Sequence, residues 1–247
     1  MRELGNGAGY LDFHTHILPG IDDGASTEEI TKQMLREAYR QGVRTIMATP
    51  HNYPGGKNAE SQTVIELCGK ANLWAKEIAA DLKVLSGNEI YYRESICEEI
   101  AAGKILTMAD SRYVLVEFSP GEGFVKVYDG CRKLIERGYY PVIAHIERIH
   151  GVFSKEEKIE ELIRMGCYMQ ANCEDFMGGI FDRKAARLFR YLECGYLHFL
   201  GSDCHNMADR VPMMQECIDR LYKKVSKQAV DQVIYENPTK FLEKKCI

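Results

Sequence analysis

The 247-residue chain has the size of one large α/β domain or two small ones, and 45% of its residues are hydrophobic, enough for a substantial core. Its 32 basic and 36 acidic residues are mixed along the chain and give a net charge of −4, without the basic stripe typical of nucleic-acid-binding proteins. No apolar run approaches the ~20 residues of a membrane span, and residues 1–9 lack the apolar core of a signal peptide. We therefore expect no nucleic-acid partner and no membrane insertion, and we interpret residues 1–9 as a disordered lead-in.

One unit recurs along the chain: a short apolar strand, a polar loop and an amphipathic helix that ends at a glycine. Ser26 with Glu29 predicts a capping box at the first helix, and Ser154 with Glu157 predicts another before a later helix. The predicted strands cover residues 10–16, 43–49, 82–86, 113–118, 141–144, 167–172 and 196–201. The predicted helices begin near residues 26, 60, 95, 126, 154 and 183, with further helices after 211, the last of which starts at 237.

Strands that alternate with helices predict a parallel sheet. No linker-like change in composition divides the chain, so we expect a single domain over residues 10–247. Seven strands without an obvious topological switch favour a (β/α)7 TIM-like barrel, and an open, doubly wound sheet is the alternative. Parallel barrels place their active sites at the carboxyl ends of the strands.

The nine cysteines are scattered, odd in number and without a C-x-x-C pair. A disulfide framework needs paired cysteines at regular spacings, so this pattern indicates reduced thiols. The sequence therefore predicts a cytoplasmic enzyme.

Two histidines, His14 and His16, end the first predicted strand. Residues i and i+2 of a strand point to the same side, so that both imidazoles can meet at one point. Asp23 precedes a glycine in the loop that follows, and Asp22 is an alternative carboxylate at the same place. Imidazole plus carboxylate is a ligand set for divalent metals, but an isolated H-x-H also occurs by chance.

The same residue types recur at the ends of six of the seven predicted strands, and only the strand that ends at Asn172 lacks one. A buried structural histidine explains one such residue, but not the same chemistry at the same end of six strands. Nine ligands exceed the needs of one or two metals, so the sequence predicts a cluster of up to three ions. The candidate ligands are His14, His16, Asp23, His51, Glu89, Glu117, His145, Asp203 and His205.

Six short segments together resemble the polymerase-and-histidinol-phosphatase (PHP) superfamily. The segments are His14-x-His16, Thr49 to His51, Gly87 to Tyr92, Val116 to Ser119, Ala144 to Arg148 and Ser202 to Asn206. Within this superfamily the chain is most similar, from residue 11 to about 242, to the bacterial metal-dependent tyrosine phosphatases of capsular and exopolysaccharide loci. The resemblance implies a barrel of the PHP type and a trinuclear centre on the nine candidates, usually of manganese, with iron, zinc or magnesium as alternatives.

The resemblance also implies that Arg148 and Arg210 hold the substrate phosphate. Asp203 or a histidine such as His205 is a candidate to protonate the leaving phenolate, although a phenolate needs little help to leave. A different interpretation is that each of the two arginines pairs with a nearby carboxylate such as Glu147 or Asp209. The implied substrate is phosphotyrosine in a protein, on the tyrosine-rich tail of a cognate kinase that controls capsule or exopolysaccharide synthesis, and an oligomer is left open.

The chemistry agrees with these residue types. Enzymes accelerate phosphate monoester hydrolysis by up to ~10²¹-fold, whereas general acid–base catalysis contributes only ~10²–10⁴-fold. Clustered divalent metals lower the pKa of water towards ~7 and stabilise both the attacking and the leaving oxygens. We therefore expect a metal-bridging hydroxide to attack phosphorus in line, without a phosphoenzyme.

Cysteine-based tyrosine phosphatases provide a competing interpretation, because the chain contains Cys-x5-Arg at Cys131 to Arg137 and at Cys204 to Arg210. That motif needs a glycine-rich loop whose amides bind phosphate and lower the pKa of the thiol. Neither segment contains an internal glycine, so we interpret both as coincidence. Three further alternatives stay open: a small-molecule phosphatase such as one for histidinol phosphate, a nuclease, and a non-catalytic metal module.

Several aromatic residues and histidines remain. Tyr53, Tyr91 and Tyr92 follow the candidate ligands and either form an aromatic wall for a phosphotyrosine ring or are ordinary loop tyrosines. His150 and His198 are interpreted as surface or core residues.

Overall fold

The computed structural model describes residues 9–179 and 181–247, so that the predicted lead-in, apart from Gly9, lies outside the described residues. The strands are β1 (Tyr10–Thr15), β2 (Val43–Ala48), β3 (His51–Asn52), β4 (Lys83–Ser86), β5 (Glu89–Tyr91), β6 (Tyr113–Glu117), β7 (Tyr140–Ile143), β8 (Tyr168–Asn172) and β9 (Phe199–Gly201). The helices are α1 (Glu28–Arg40), α2 (Ser61–Ile78), α3 (Ile96–Ala101), α4 (Phe124–Glu136), α5 (His150–Phe153), α6 (Glu156–Met165), α7 (Arg183–Glu193), α8 (Met214–Lys224), α9 (Lys227–Asp231) and α10 (Asn237–Leu242). None of the helices in these two ranges is both long and apolar enough to cross a bilayer.

All of these strands pair in parallel, in the orders β1-β2-β4 and β3-β5-β6-β7-β8-β9. Two short strands were not predicted: β3 follows β2 after Thr49-Pro50, and β5 follows β4 after Gly87-Asn88. A parallel bridge joins Thr15 to Cys204, just beyond β9, so the first and last strands adjoin and the sheet curls round. The predicted α/β class with a parallel sheet is confirmed, and the strands follow chain order, unlike those of the doubly wound alternative. The count of seven units stays a prediction.

The inside of the curled sheet holds an apolar cluster, which we call the inner cluster. Phe13 of β1 stacks on Phe199 of β9 in this cluster, with the ring centroids 3.9 Å apart. Its buried members are Leu11, Phe13, Met47, Met108, Tyr113, Leu115, Val142, Ala144, Tyr168, Phe199 and Phe241. The helices pack on the outer face, where a second and larger apolar cluster lies.

Strand β1 is irregular where it approaches the metal-type ligands. Successive side chains of a regular strand point to opposite faces, so His14 would point away from the inside that Phe13 occupies. The register of β1 against β2 shifts between Asp12 and Thr15. Such an irregularity re-aims the side chains that follow it. Phe13 therefore packs in the inner cluster while His14 and His16 reach the same interior further along.

Both predicted capping boxes are wrong. The N-cap of α1 is Thr27, whose hydroxyl accepts a hydrogen bond from the amide of Ile30, and the pattern did not distinguish it from the neighbouring hydroxyl of Ser26. Ser154 instead follows α5, a short helix that the sequence did not predict, and its amide donates back to the carbonyl of His150. α6 begins at Glu156 without a side-chain cap.

Candidate metal centre

Glu89 lies at the centre of the predicted ligands and is 1% exposed. Its Oε2 is 3.3 Å from Nε2 of His14, 3.3 Å from Nε2 of His16 and 2.8 Å from Nδ1 of His51. Its Oε1 is 2.7 Å from Nε2 of His145. One carboxylate therefore contacts four imidazoles, which arrive from β1, β3 and the end of β7.

The structure brings all nine predicted ligands to this end of the sheet. Three overlapping groups have ligand atoms within 4.8 Å of one another: His16, Asp23, His51 and His205; His14, His16 and Glu89; and His51, Glu89 and Glu117. His145 joins through Glu89, and Asp203 joins because its Oδ1 is 3.4 Å from Nε2 of His16. Because three residues belong to two groups each, the groups form one continuous cluster.

Several buried atoms of this cluster lack a hydrogen-bond partner among the described residues. They include Oε2 of Glu89, Oε2 of Glu117, Nε2 of His205 and Nδ1 of His51. Nδ1 of His51 is close to Glu89, but the contact does not have hydrogen-bond geometry. Leaving buried polar atoms unpaired is costly, and cations between these atoms would satisfy them. The residues present therefore fit divalent metal ions.

The electrostatics of the cluster favour the ligand form of some members and oppose that of others. Although burial acts against it, the neighbouring carboxylates raise the pKa of His14 and His16 above the usual imidazole value. Burial disfavours the charge of Glu89, but the neighbouring histidines, His14 foremost, hold the pKa of this carboxyl well below its usual range. Burial, with the charge of Glu89, raises the pKa of Glu117. Burial and the charge of His16 lower the pKa of His205 to about 4. His205 is thus a neutral imidazole, the form that binds metals.

The two aspartates after β1 have different positions. Oδ1 of Asp23 lies 3.3 Å from Nε2 of His51 and 3.3 Å from Nε2 of His205, within the cluster. Asp22 lies behind it, where its Oδ2 accepts from Nδ1 of His16 at 2.7 Å and from the amide of His51 at 3.2 Å. A Cβ at Gly24 would lie 2.1 Å from the carbonyl oxygen of His16, so the loop requires glycine there. The geometry thus favours Asp23 as the ligand and gives Asp22 an orienting contact.

Arg148 and Arg210 approach the cluster from opposite sides of one carboxylate. Nη2 of Arg148 is 3.0 Å from Oδ2 of Asp203, and Nη2 of Arg210 is 2.9 Å from Oδ1. Both arginines thus pair with a carboxylate, as the alternative interpretation expected, but the carboxylate is that of Asp203; Glu147 is buried and accepts from the amide of Asn172 at 2.9 Å. The two guanidiniums therefore face the candidate ligands.

Two candidate ligands have unusual backbones. His145 has φ of 30° and Asp203 has φ of 52°, both in the left-handed region that disfavours residues other than glycine. Such a conformation costs about 1–3 kcal/mol per residue and occurs preferentially at functional sites. The surrounding contacts must stabilise these two residues in place.

Sequence reasoning missed the residues that hold the ligands. Gln170 and Asn172 of β8 are fully buried and hydrogen-bond to three candidate ligands. Asp12 is also buried and accepts from the amide and hydroxyl of Ser202, and burial raises its pKa to about 6. One sequence signal could have identified Gln170 and Asn172: they are polar residues at alternate positions in an otherwise apolar strand, at its carboxyl end, where the ligands also lie.

The aromatic residues divide into two sets. The Tyr53 ring lies 4.6 Å from the ring of His51 and 5.5 Å from that of Tyr91, beside the cluster. Tyr92 is only 6% exposed and stacks on Phe118, so it belongs to the core and not to a wall.

The thiols do not have the features of a nucleophile. All nine cysteines are free. Burial raises the pKa of Cys204 well above its usual range, and it does the same for Cys131 inside α4. Both Cys-x5-Arg segments therefore hold protonated, buried thiols. His198 is buried and His150 is exposed, in agreement with the core and surface interpretation.

Comparison with known proteins agrees with this geometry. A family model described as "Capsular polysaccharide synthesis, CpsB/CapC" matches residues 10–243. The chain belongs to the CpsB/CapC family. Among relatives of this CpsB/CapC chain, tyrosine-protein phosphatase CpsB of Streptococcus pneumoniae is 36% identical over 237 residues, covering 94% of this chain and 98% of the relative. Tyrosine-protein phosphatase YwqE of Bacillus subtilis is 32% identical and covers 96% of this chain and 93% of its own length.

Comparison with solved structures agrees with this family assignment. A chain from the crystal structures of Bacillus subtilis YwqE and Streptococcus pneumoniae CpsB, described as unique metal-dependent tyrosine phosphatases, matches with a TM-score of 0.87, 31% identity and 96% coverage of both chains. A phosphotriesterase homology protein of Escherichia coli has a TM-score of 0.59 at 12% identity over 95% of this chain and 99% of its own, which shows the shared fold alone. The relatives of this CpsB/CapC chain are thus phosphoric monoester hydrolases, and the similarity predicted from the motifs is confirmed at the level of the family.

Proposed function

We propose that this CpsB/CapC family member is a metal-dependent protein tyrosine phosphatase. The observation that carries the proposal is the convergence of nine metal-type ligands and two arginines at one end of a parallel sheet. Each guanidinium has a planar set of donors that matches the oxygens of a phosphate, and both lie beside the candidate metal ligands. The names of the relatives support a phosphotyrosine substrate.

The proposed cofactor is a set of up to three divalent metal ions, and manganese is the first candidate for their identity. The nine candidates would hold them, with Glu89, His16 and His51 shared between groups. Ions bound there supply Lewis acidity at the phosphoryl oxygens and make water a nucleophile near neutral pH.

Phosphate binding and orientation are proposed to depend on side chains of the protein itself. Arg148 and Arg210 are proposed to bind the phosphate oxygens, since a guanidinium fork matches two oxygens at once. Asp203 lies between the two guanidiniums and holds both towards the cluster. His205 is neutral and acts as a ligand, and a phenolate needs little protonation to leave.

The substrate is proposed to enter beside Tyr53 and Tyr91, which flank the cluster and suit an aromatic ring. The proposed target is the tyrosine-rich tail of a cognate kinase that controls capsule or exopolysaccharide synthesis, in the cytoplasm and without nucleic acid. The proposed architecture is a distorted (β/α)7 barrel of the PHP type formed by residues 10–247 as one domain.

A direct comparison of substrates tests this function against the small-molecule alternative, histidinol phosphate. The metal-free protein is reconstituted with Mn²⁺ and assayed with a phosphotyrosine peptide and with histidinol phosphate in parallel. We expect kcat/KM to favour the peptide and a strong chelator to abolish turnover. Higher kcat/KM for histidinol phosphate would replace the proposed substrate, and full activity after chelation would exclude the metal-dependent chemistry.

A further inference from the structure

Strand β8 carries none of the nine candidate ligands, yet it lies between β7 and β9, which lead to His145 and Asp203. Its alternate residues Tyr168, Gln170 and Asn172 share one face, and Tyr168 belongs to the inner cluster. Gln170 and Asn172 therefore point into the same interior, at the metal end, where both are 0% exposed.

Gln170 holds two candidate ligands through one oxygen. Its Oε1 accepts from the backbone amide of His145 at 2.8 Å and lies 3.2 Å from Nδ1 of His14. An acceptor at Nδ1 keeps the proton on that nitrogen, which leaves the Nε2 lone pair of His14 free to face Glu89 and a metal ion.

Asn172 holds a third ligand. Its Nδ2 donates to Oδ2 of Asp203 at 2.8 Å, and its Oδ1 accepts from Nε2 of Gln170 at 2.9 Å. A continuous chain of hydrogen bonds thus runs from His14 through the two amides to Asp203.

Two of the residues held in this way are His145 and Asp203, the candidate ligands with left-handed backbones. The amide of His145 is fixed by Gln170, and the carboxylate of Asp203 is fixed by Asn172. The two strained ligands are therefore held from the strand between them.

We infer that Gln170 and Asn172 are positioning residues that preset the metal centre before any ion binds. This inference rests on the proposed metal-dependent function. Neither amide is a ligand; each acts through His14, His145 or Asp203, and losing one lets a ligand rotate away from the geometry that a cation needs.

The test measures metal binding, not activity. Metal-free wild type, Gln170→Ala, Asn172→Ala and Gln170→Glu are titrated with Mn²⁺ against a competing chelator, and Co²⁺ absorption spectra report the coordination geometry. Removing residues that orient ligands costs typically 10–100-fold in metal affinity, and we expect losses of that size in both alanine variants, with altered Co²⁺ spectra. Gln170→Glu keeps the acceptor for His145 and His14 but replaces the Nε2 donor to Asn172 with an oxygen, so its loss of metal affinity is expected to be smaller than that of Gln170→Ala.

Asn237 provides the matched control. It is a buried amide, 2% exposed, whose Nδ2 donates to the carbonyl of His198 at 3.0 Å, away from the centre. Asn237→Ala is expected to lower the melting temperature without changing metal affinity. Equal affinity losses in Asn237→Ala and Gln170→Ala would show a general effect of instability and overturn the inference.

The remaining outcomes also decide the question. Folded alanine variants with wild-type affinity and an unchanged Co²⁺ spectrum overturn the inference. If Gln170→Ala does not fold, Asn172→Ala decides: wild-type metal affinity with an unchanged Co²⁺ spectrum in this variant contradicts the inference. A wild type that hydrolyses neither phosphate ester while the alanine variants lose metal affinity would refute the proposed function and leave the positioning role intact.

Discussion

Replacing Arg148 or Arg210 with alanine tests the proposed phosphate site most directly. Each guanidinium is about a third exposed, 34% and 32%, and contacts Asp203 at 3.0 and 2.9 Å. A charge-assisted hydrogen bond contributes about 1.5–3 kcal/mol, so its loss lowers kcat/KM roughly 10- to 150-fold. Because water screens partly exposed charges, we expect the lower part of that range, about 10- to 40-fold for each variant.

The assay separates phosphate binding from metal binding. kcat/KM for a phosphotyrosine peptide and inhibition by inorganic phosphate are measured beside metal content by elemental analysis. Both alanine variants are expected to bind phosphate more weakly and to retain their metal, because a guanidinium does not coordinate a cation. The corresponding lysine variants should recover only part of the activity, since an ammonium lacks the bidentate fork.

Arg137 is the matched control for these arginines. It is a surface residue at the end of α4 whose guanidinium pairs with Glu98 at 3.1 Å, and Arg137→Ala should leave all three measurements unchanged. Wild-type kinetics and wild-type phosphate inhibition in both Arg148→Ala and Arg210→Ala would refute the assignment of these residues to the phosphate.

Three further predictions concern the centre, the thiol and the core. Glu89→Ala is expected to lower metal content in elemental analysis, because Glu89 contacts four imidazoles, whereas Glu98→Ala should not; equal contents would remove Glu89 from the ligand set. Cys204→Ser should keep most of the phosphatase activity, since burial keeps the thiol protonated, and a folded, metal-loaded but inactive variant would contradict this. Burial lowers the pKa of His198 from 6.5 to about 4, so the unfolded chain binds a proton below pH 6.5 that the folded chain does not. The contribution of His198 to the free energy of unfolding is therefore complete above pH 6.5, and about 3 kcal/mol of it is lost towards pH 4. In urea unfolding, the free energy of unfolding of His198→Gln should fall over this pH range by about that amount less than that of the wild type. Equal falls in the two proteins would refute the reasoning.

The sequence was most informative where the function depends on local spacing. His14 and His16 alternate on one strand, and His51, Glu89 and Glu117 each occur where an apolar run ends, so their meeting follows from the geometry of parallel strands. The elements that surround them were predicted for the same reason, since apolar periodicity is a local signal.

Contacts between distant residues were not predictable in this way. Gln170 and Asn172 reach His145 and Asp203 only after the strands pair, and nothing in the neighbourhood of either amide specifies that partner. The N-cap of α1 was misplaced by one residue because adjacent hydroxyls offer the same cap, and the structure uses Thr27.

The register irregularity of β1 makes the length of this strand a constraint in its own right. Phe13 belongs to the inner cluster and His14 to the metal centre, although neighbours in a regular strand point to opposite faces. An insertion or deletion of one residue in β1 shifts the alternation of its side chains by one place. Such a change removes the Phe13 ring from the inner cluster and the imidazoles of His14 and His16 from the metal centre. Substitutions can change the core and the centre separately, whereas a one-residue change in length changes both at once.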